Sequence, residues 1–399
     1  MKKLYTILIL SLSLEAQTLH ETIEYSIQHN YQLQILEEEA SIVHEQKEIE
    51  SFWENPILKV GINDIQGNHP LSRNLESMQN QYVTLSQTIP LSNKLEVASQ
   101  LENEKKRVIE LRAISLKVDI ASVVRGAFIE ANNAKKTLTI LDDYISFLKT
   151  PLQLLINLSS VEKNSVDKYI KTQLLQKSYQ LQRESAIQRI KIAKEKIELV
   201  GNIKIDTFSD EVLARDYTKE SLNSLLNRVE QTPKLAIATA LKDVANQGVV
   251  LAQEKEQADL TITAGYYQRF DRNDYISLGI SYPLYTHGKE KRQRVQAMKR
   301  SNIQALSYKQ VKVEIEQQLK IALHELEALH QELKILEESR VKILQLIANA
   351  KSELSVGGSL VRYYELFTKK TDNALAINKK RLSIALIENQ ITKFLGEIE

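Results

Sequence analysis

Residues 260–284 read LTITAGYYQRFDRNDYISLGISYPL. In the first part, Leu260, Ile262, Ala264 and Tyr266 alternate with Thr261, Thr263 and Gly265. A short polar loop follows at 268–274. Then Ile276, Leu278, Ile280 and Tyr282 occupy one face of a second alternating run, which Pro283 ends. A period of two with unlike faces is the pattern of a β-strand. The stretch therefore predicts an antiparallel strand pair over 259–267 and 275–283.

The flanks have another period. Upstream, 221–257 reads as a helix containing Thr232-Pro233. Downstream, one long helix runs to about residue 354, where Gly357-Gly358 marks a turn, and a last helix reaches the C-terminus. The first half of the chain has the same order. A helical pattern covers 18–53 and Pro56 ends it. Strands follow at 57–64, where Leu58, Val60 and Ile62 share a face, and at 82–90, where Val83, Leu85 and Ile89 do. The polar stretch between them reads as a long loop. From 91 to 148 the only glycine or proline is Gly126, so a helix on the order of 90 Å is expected. Its turn is placed near 151–165, at Pro151 and the polar cluster after it, and a return helix ends at about residue 200.

The two halves pair position by position. Leu33 matches Leu235, Gly61 matches Gly265, Ile89-Pro90-Leu91 matches Tyr282-Pro283-Leu284, and Ser165-Val166 matches Ser359-Leu360. A unit of this length is far beyond a solenoid repeat and indicates tandem duplication. The expected organisation is a first repeat at 17–205, a connector or equatorial segment at 206–220, and a second repeat at 221–399.

Composition restricts the class. Charged residues make up 26% of 399, with only 11 Gly and 6 Pro, which favours long helices over a loop-rich or disordered chain. A formal net charge of +2 gives no basic field for nucleic acid. With no cysteine, thiolate catalysis, zinc–cysteine sites and a cysteine-linked lipid anchor are excluded. Lys2 and Lys3, the apolar run 4–14 and Ala16 read as an export signal over 1–16. That run is shorter than the ~20 residues a membrane helix needs, and no other apolar run is expected to be long enough. A membrane role then falls to β-strands.

Each strand is close to the ~9–11 residues that cross a bilayer at a tilt. Leu260, Ile262, Tyr266, Ile276, Leu278, Ile280 and Tyr282 suit lipid, while the opposite Thr, Ser and Gly face suits a water-filled lumen. Tyr267, Phe270, Tyr275 and Tyr285 cluster with Tyr266 and Tyr282 near the strand ends, as interfacial anchors do. Four strands leave edge N–H and C=O groups unpaired in lipid. The barrel must close with other copies, so oligomerisation is expected.

This combination resembles the TolC-like outer-membrane efflux family over essentially the whole mature chain. The resemblance rests on the duplication, on Gln87-Thr88-Ile89-Pro90-Leu91 and Ser281-Tyr282-Pro283-Leu284-Tyr285 with nearby Lys94 and Gly288-Lys289, and on Gly357-Gly358-Ser359-Leu360. It implies a mainly α fold with β: long antiparallel helical hairpins plus four transmembrane strands per chain. It also implies a homotrimer with a twelve-stranded barrel in the outer membrane, continued by an α-helical periplasmic tunnel. A periplasmic adaptor and a proton-driven inner-membrane RND-type pump are the implied partners. The Gln-Thr-Ile-Pro-Leu…Lys pattern is most similar to the cobalt–zinc–cadmium branch, which implies heavy-metal cations as cargo. Family channels close at the periplasmic tip, often with acidic side chains five and eight residues after the turn glycine. Here those positions are Arg362 and Glu365 in the second repeat, and Lys168 and Lys171 in the first, where Lys163 replaces the glycine.

No catalytic constellation is visible. His324 and His330 are six residues apart on one helix, whereas a zincin pair needs four; they read as exposed histidines. No phosphate loop, cofactor site or metal site is expected, and the chain is read as a passive duct, not an enzyme. A duct for drugs or secreted polypeptides, and a periplasmic coiled-coil scaffold without a pore, are the alternatives.

Overall fold

The computed structural model describes residues 18–159, 163–209, 215–354 and 359–398. The export signal and the Gly357-Gly358 turn lie outside these residues.

The elements repeat in order. The first half has α1 (Leu19–His29), α2 (Tyr31–Ser51), β1 (Ile57–Asn63), β2 (Asn80–Ile89), α3 (Lys94–Ser159) and α4 (Lys163–Gly201). The second has α5 (Leu222–Arg228), α6 (Pro233–Glu254), β3 (Leu260–Gln268), β4 (Tyr275–Ser281), α7 (Lys289–Leu354) and α8 (Leu360–Leu395). Both α3 and α7 are 66 residues long. Strand limits agree with the alternating patterns to within two residues.

The helices ahead of each strand pair depart from expectation in the same way. Each is broken. Asn30 is extended (φ −76°, ψ 118°) between α1 and α2, and Thr232 is extended (φ −70°, ψ 141°) before α6. At Asn30 the side chain directs the break: Oδ1 accepts from the Leu33 N–H at 3.0 Å and Nδ2 donates to the Val200 carbonyl at 2.7 Å. At Thr232 the next residue is Pro233, which disfavours the helical region for its predecessor and suits the first position of α6.

Pro151 does not turn the chain. It sits inside α3, which runs on to Ser159. An internal proline deletes one helical N–H bond and crowds the carbonyl four residues back. Here the ring is buried against apolar neighbours, which offsets part of that cost.

The chain divides into two compact units. One comprises residues 35–113 and 233–312, and holds the sheet. All neighbouring strands are antiparallel in the order β1-β2-β3-β4, so the halves join at the β2–β3 ladder, Gln81↔Gln268 through Ile89↔Leu260. Lys94 at the start of α3 forms an ion pair with Asp259 just before β3, tying the repeats again beneath the ladder. α6 has the length and mean hydropathy (1.2) of a membrane helix, unlike any run expected from the sequence. Lys242 and Asp243 fall at its middle, where lipid would penalise them. Instead Lys242 lies over the Tyr308 ring (5.3 Å) and Asp243 approaches Arg107 (3.9 Å).

The other unit comprises the described residues of 1–34, 114–232 and 313–399. Small buried side chains on α3, among them Ala121, Ala127, Ala131 and Ala134, let helices approach closely. Polar side chains then fix the register. Asn133 Nδ2 donates to the Asn378 carbonyl (2.7 Å) and Asn378 Nδ2 donates back to the Asn133 carbonyl (3.1 Å). Arg125 donates to Asn389 and to the Ile398 carbonyl. After α4, Phe208 packs edge-on against Phe128 on α3, with centroids 5.0 Å apart. The carbonyls of Phe208 and Ser209 accept from Lys135 and Asn132.

Candidate pore-forming site

The sheet has two unlike faces. On one face the registers place Leu58, Leu85, Ala264 and Leu278 in a row, with Val60, Val83, Tyr266 and Ile276 in the next. None of these side chains is buried: Val60 is 72% exposed, Ile276 75%, Leu278 79% and Ile280 74%. The candidate lipid-facing residues Ile262, Tyr266, Ile276, Leu278, Ile280 and Tyr282 are thus brought to one exposed surface. Leu260, at the foot of the ladder opposite Ile89, is half-buried. A contiguous apolar surface of this kind has no stable place in water and marks contact with lipid or protein.

The opposite face is polar and internally bonded. The hydroxyls of Ser86 and Thr263 lie 2.9 Å apart, and those of Thr88 and Thr261 3.3 Å apart. Further along, Tyr82 stacks on Tyr267 (5.6 Å) and Tyr267 on Tyr275 (4.8 Å). The Tyr82 ring also covers Gly61: a Cβ there would sit 2.5 Å from its Oη, so a larger residue would have to displace the Tyr82 ring. At the loop end Tyr266 donates to Asp274, and Arg269 lies 5.1 Å over the Tyr275 ring. Strands β1 and β4 each have one edge with no partner among the described residues.

The second part of the site lies where α3, α4 and α8 pack in the helical unit. Lys168, Lys171 and Glu365 line one cavity of about 290 Å³, walled by apolar side chains such as Leu148, Leu155, Leu175 and Leu360. Arg362 is not part of that group. Its guanidinium donates to Glu353 on α7 at 2.9 Å. Of the four expected tip residues, the structure therefore gathers three and pairs the fourth elsewhere.

Sequence reasoning missed the contacts that hold this region. Tyr179 Oη donates to Asp372 Oδ1 at 2.6 Å, and Tyr144 and Thr368 share a 2.5 Å hydroxyl contact. Burial and the Asp372 acceptor push the Tyr179 phenol well above its usual range; burial also raises Tyr144. Phe147 stacks on Phe367 at 4.2 Å, and Tyr363 adds a further contact with Phe367 at 5.0 Å. The aromatic spacing Tyr363, Tyr364, Phe367 on α8 was a legible signal for such a cluster.

The histidines also differ from expectation. His324 is exposed, but His330 is half-buried. Asp216, His330 and Glu388 offer ligand atoms that all lie within 4.8 Å of one another. Burial, with the Asp216 charge adding to it, pushes the Glu388 carboxyl up to about 7.

The described chain thus combines a four-stranded antiparallel sheet bearing one exposed apolar face with long helices repeated in both halves. No protein-family model and no curated protein matches the chain. Solved structures do. The chain is similar to CusC, whose structures describe folding and transmembrane channel formation (TM-score 0.75, 12% identity, covering 97% of this chain and 96% of that one). It is similar to the outer-membrane protein VceC of Vibrio cholerae (0.76, 14%, covering 96% and 97%). It is likewise similar to the open MtrE outer-membrane channel of Neisseria gonorrhoeae (0.76, 14%, covering 95% and 89%). The chain has the fold of these outer-membrane proteins.

Proposed function

We propose that the chain is the outer-membrane duct of a tripartite efflux system, exported by its N-terminal signal and working as a homotrimer. Three four-stranded sheets close into a twelve-stranded barrel, and the helices continue it as a periplasmic tunnel. The observation that carries this reading is the sheet itself: an exposed apolar face, a hydroxyl-lined opposite face and two open edges. In lipid each unpaired edge group costs several kcal/mol, and pairing β1 of one copy with β4 of the next removes that cost around a closed ring. A periplasmic coiled-coil scaffold leaves the apolar face unexplained.

The duct is passive. Energy and substrate choice belong to an inner-membrane RND-type pump joined through a periplasmic adaptor. Heavy-metal cations are the cargo that the Gln87-Thr88-Ile89-Pro90-Leu91…Lys94 resemblance favours. A deletion strain tests this when challenged in parallel with zinc, cadmium, cobalt, copper, bile salts and dyes. Sensitivity to metals alone is the expected result. Sensitivity to dyes or bile salts alone assigns the duct to drugs instead.

Closure at the tip rests on Lys168, Lys171, Arg362 and Glu365, with the tip turn at Gly357-Gly358. The Arg362–Glu353 bond braces the α7–α8 hairpin, while Glu365 and the two lysines line one cavity. The double variant Arg362→Ala, Glu365→Ala is expected to change the closed-state conductance of single channels in a planar bilayer. An unchanged closed state places the constriction elsewhere.

A further inference from the structure

Three chain segments meet at Asp216, His330 and Glu388. Asp216 precedes a 3-10 turn, Tyr217–Lys219, His330 is on α7, and Glu388 is on α8. Their ligand atoms fall within one 4.8 Å group. Proximity of two carboxylates and an imidazole is common on surfaces. Two further observations set this group apart.

The first is burial without compensation. Glu388 is only 5% exposed, yet its carboxylate has no lysine or arginine partner and accepts no hydrogen bond among the described residues. Burying a carboxylate in this way is costly unless it is paired, bonded or bound to a metal. The second is His330, whose Nε2 is buried and likewise lacks a hydrogen-bond partner among the described residues. A buried glutamate and a buried imidazole nitrogen from different helices thus converge. Asp216 comes to them at the start of a short turn, where its Oδ1 accepts from the Thr218 N–H at 3.1 Å.

We propose that Asp216, His330 and Glu388 form a resident binding site for a divalent transition-metal ion, with water completing the shell. One imidazole nitrogen with two carboxylates suits zinc and its first-row neighbours; calcium and magnesium prefer oxygen alone. Tetrahedral zinc donors ~2.0–2.2 Å from the ion lie ~3.3–3.6 Å from one another, so the three side chains close on it with movements of under about 1 Å. An entry path adjoins the site. His330 also lines a cavity of about 570 Å³, together with His324, Glu220, Glu327 and Tyr217. A bound ion ties the segment before α5 to both long helices of the second repeat. The site is a staple, independent of what the duct carries.

The test uses the full chain in detergent, stripped with a chelator and titrated calorimetrically with zinc chloride, then with calcium and magnesium chloride. The expected result is about one zinc per chain, no calcium or magnesium binding, and affinity lowered by ~100-fold or more in both Glu388→Gln and His330→Ala. His44→Ala, an exposed histidine on α2, is expected to bind as the parent does. Glu388→Gln removes the buried charge, so without metal it should melt no lower than the parent while losing the zinc-dependent gain. X-ray absorption of the zinc-loaded parent should show one imidazole among oxygen donors. Absence of zinc uptake, uptake unchanged in both variants, or a shell with no imidazole or several would overturn the proposal.

Discussion

A chain carrying Leu278→Arg is expected to disappear from the outer-membrane fraction and to yield no trimer. Leu278 is 79% exposed on β4, in register with Ala264 and next to Ile276 and Ile280 on the apolar face. A lipid-facing arginine costs ~2–4 kcal/mol near the bilayer midplane and close to nothing near the interfaces. In a symmetric trimer the penalty enters three times. Ser277→Arg, one residue away on the hydroxyl-bearing face, should assemble and alter conductance instead. Fractionation and heat-modifiable gel mobility read both outcomes. Equal assembly of the two variants would mean that the apolar face does not meet lipid.

The second large effect is expected at Phe128→Ala. Phe128 is fully buried on α3 and meets Phe208 edge-on at 5.0 Å. Truncating such a ring costs ~3–5 kcal/mol, from lost transfer free energy and from the cavity left behind. Phe208 would lose its aromatic partner, leaving the segment it anchors to the hydrogen bonds from Asn132, Lys135 and Lys194 and to the burial of Ile205. The variant should dissociate and unfold at a markedly lower temperature, while Phe128→Leu, which keeps most of the volume, should lose less than half as much. Thermal unfolding followed by circular dichroism distinguishes the two.

The parts of the fold legible in the sequence are those written in local periodicity. The alternation around Leu260 and Ile276 fixes strand identity and face. The matching Pro90-Leu91 and Pro283-Leu284 pairs disclose the duplication, and the longer first loop, residues 64–79 against 269–274, follows from it. Positions whose conformation depends on distant partners were not legible. Asn30 breaks a helix because Val200 lies within reach of its amide, and no local breaker announces it. Pro151 looks like a turn but is absorbed within α3 by its buried setting.

The tip shows the same division. Lys168, Lys171 and Glu365 could be placed by counting from a turn, and they do share a cavity. The Tyr179–Asp372 and Tyr144–Thr368 contacts join positions far apart in the chain, where neither residue type signals its partner. Arg362 looked equivalent to Glu365 by spacing, yet its reach to Glu353 takes it out of the group. His330 resembled an exposed helix histidine because burial by another chain segment leaves no mark on its own helix.

The central claim is that copies of this sheet close around a pore. Its most direct test is the full-length protein extracted from membranes in detergent, sized by mass and reconstituted in a planar bilayer. The account predicts a heat-sensitive trimer that conducts ions in discrete steps. A monodisperse protein that stays in solution without detergent and carries no current would contradict it.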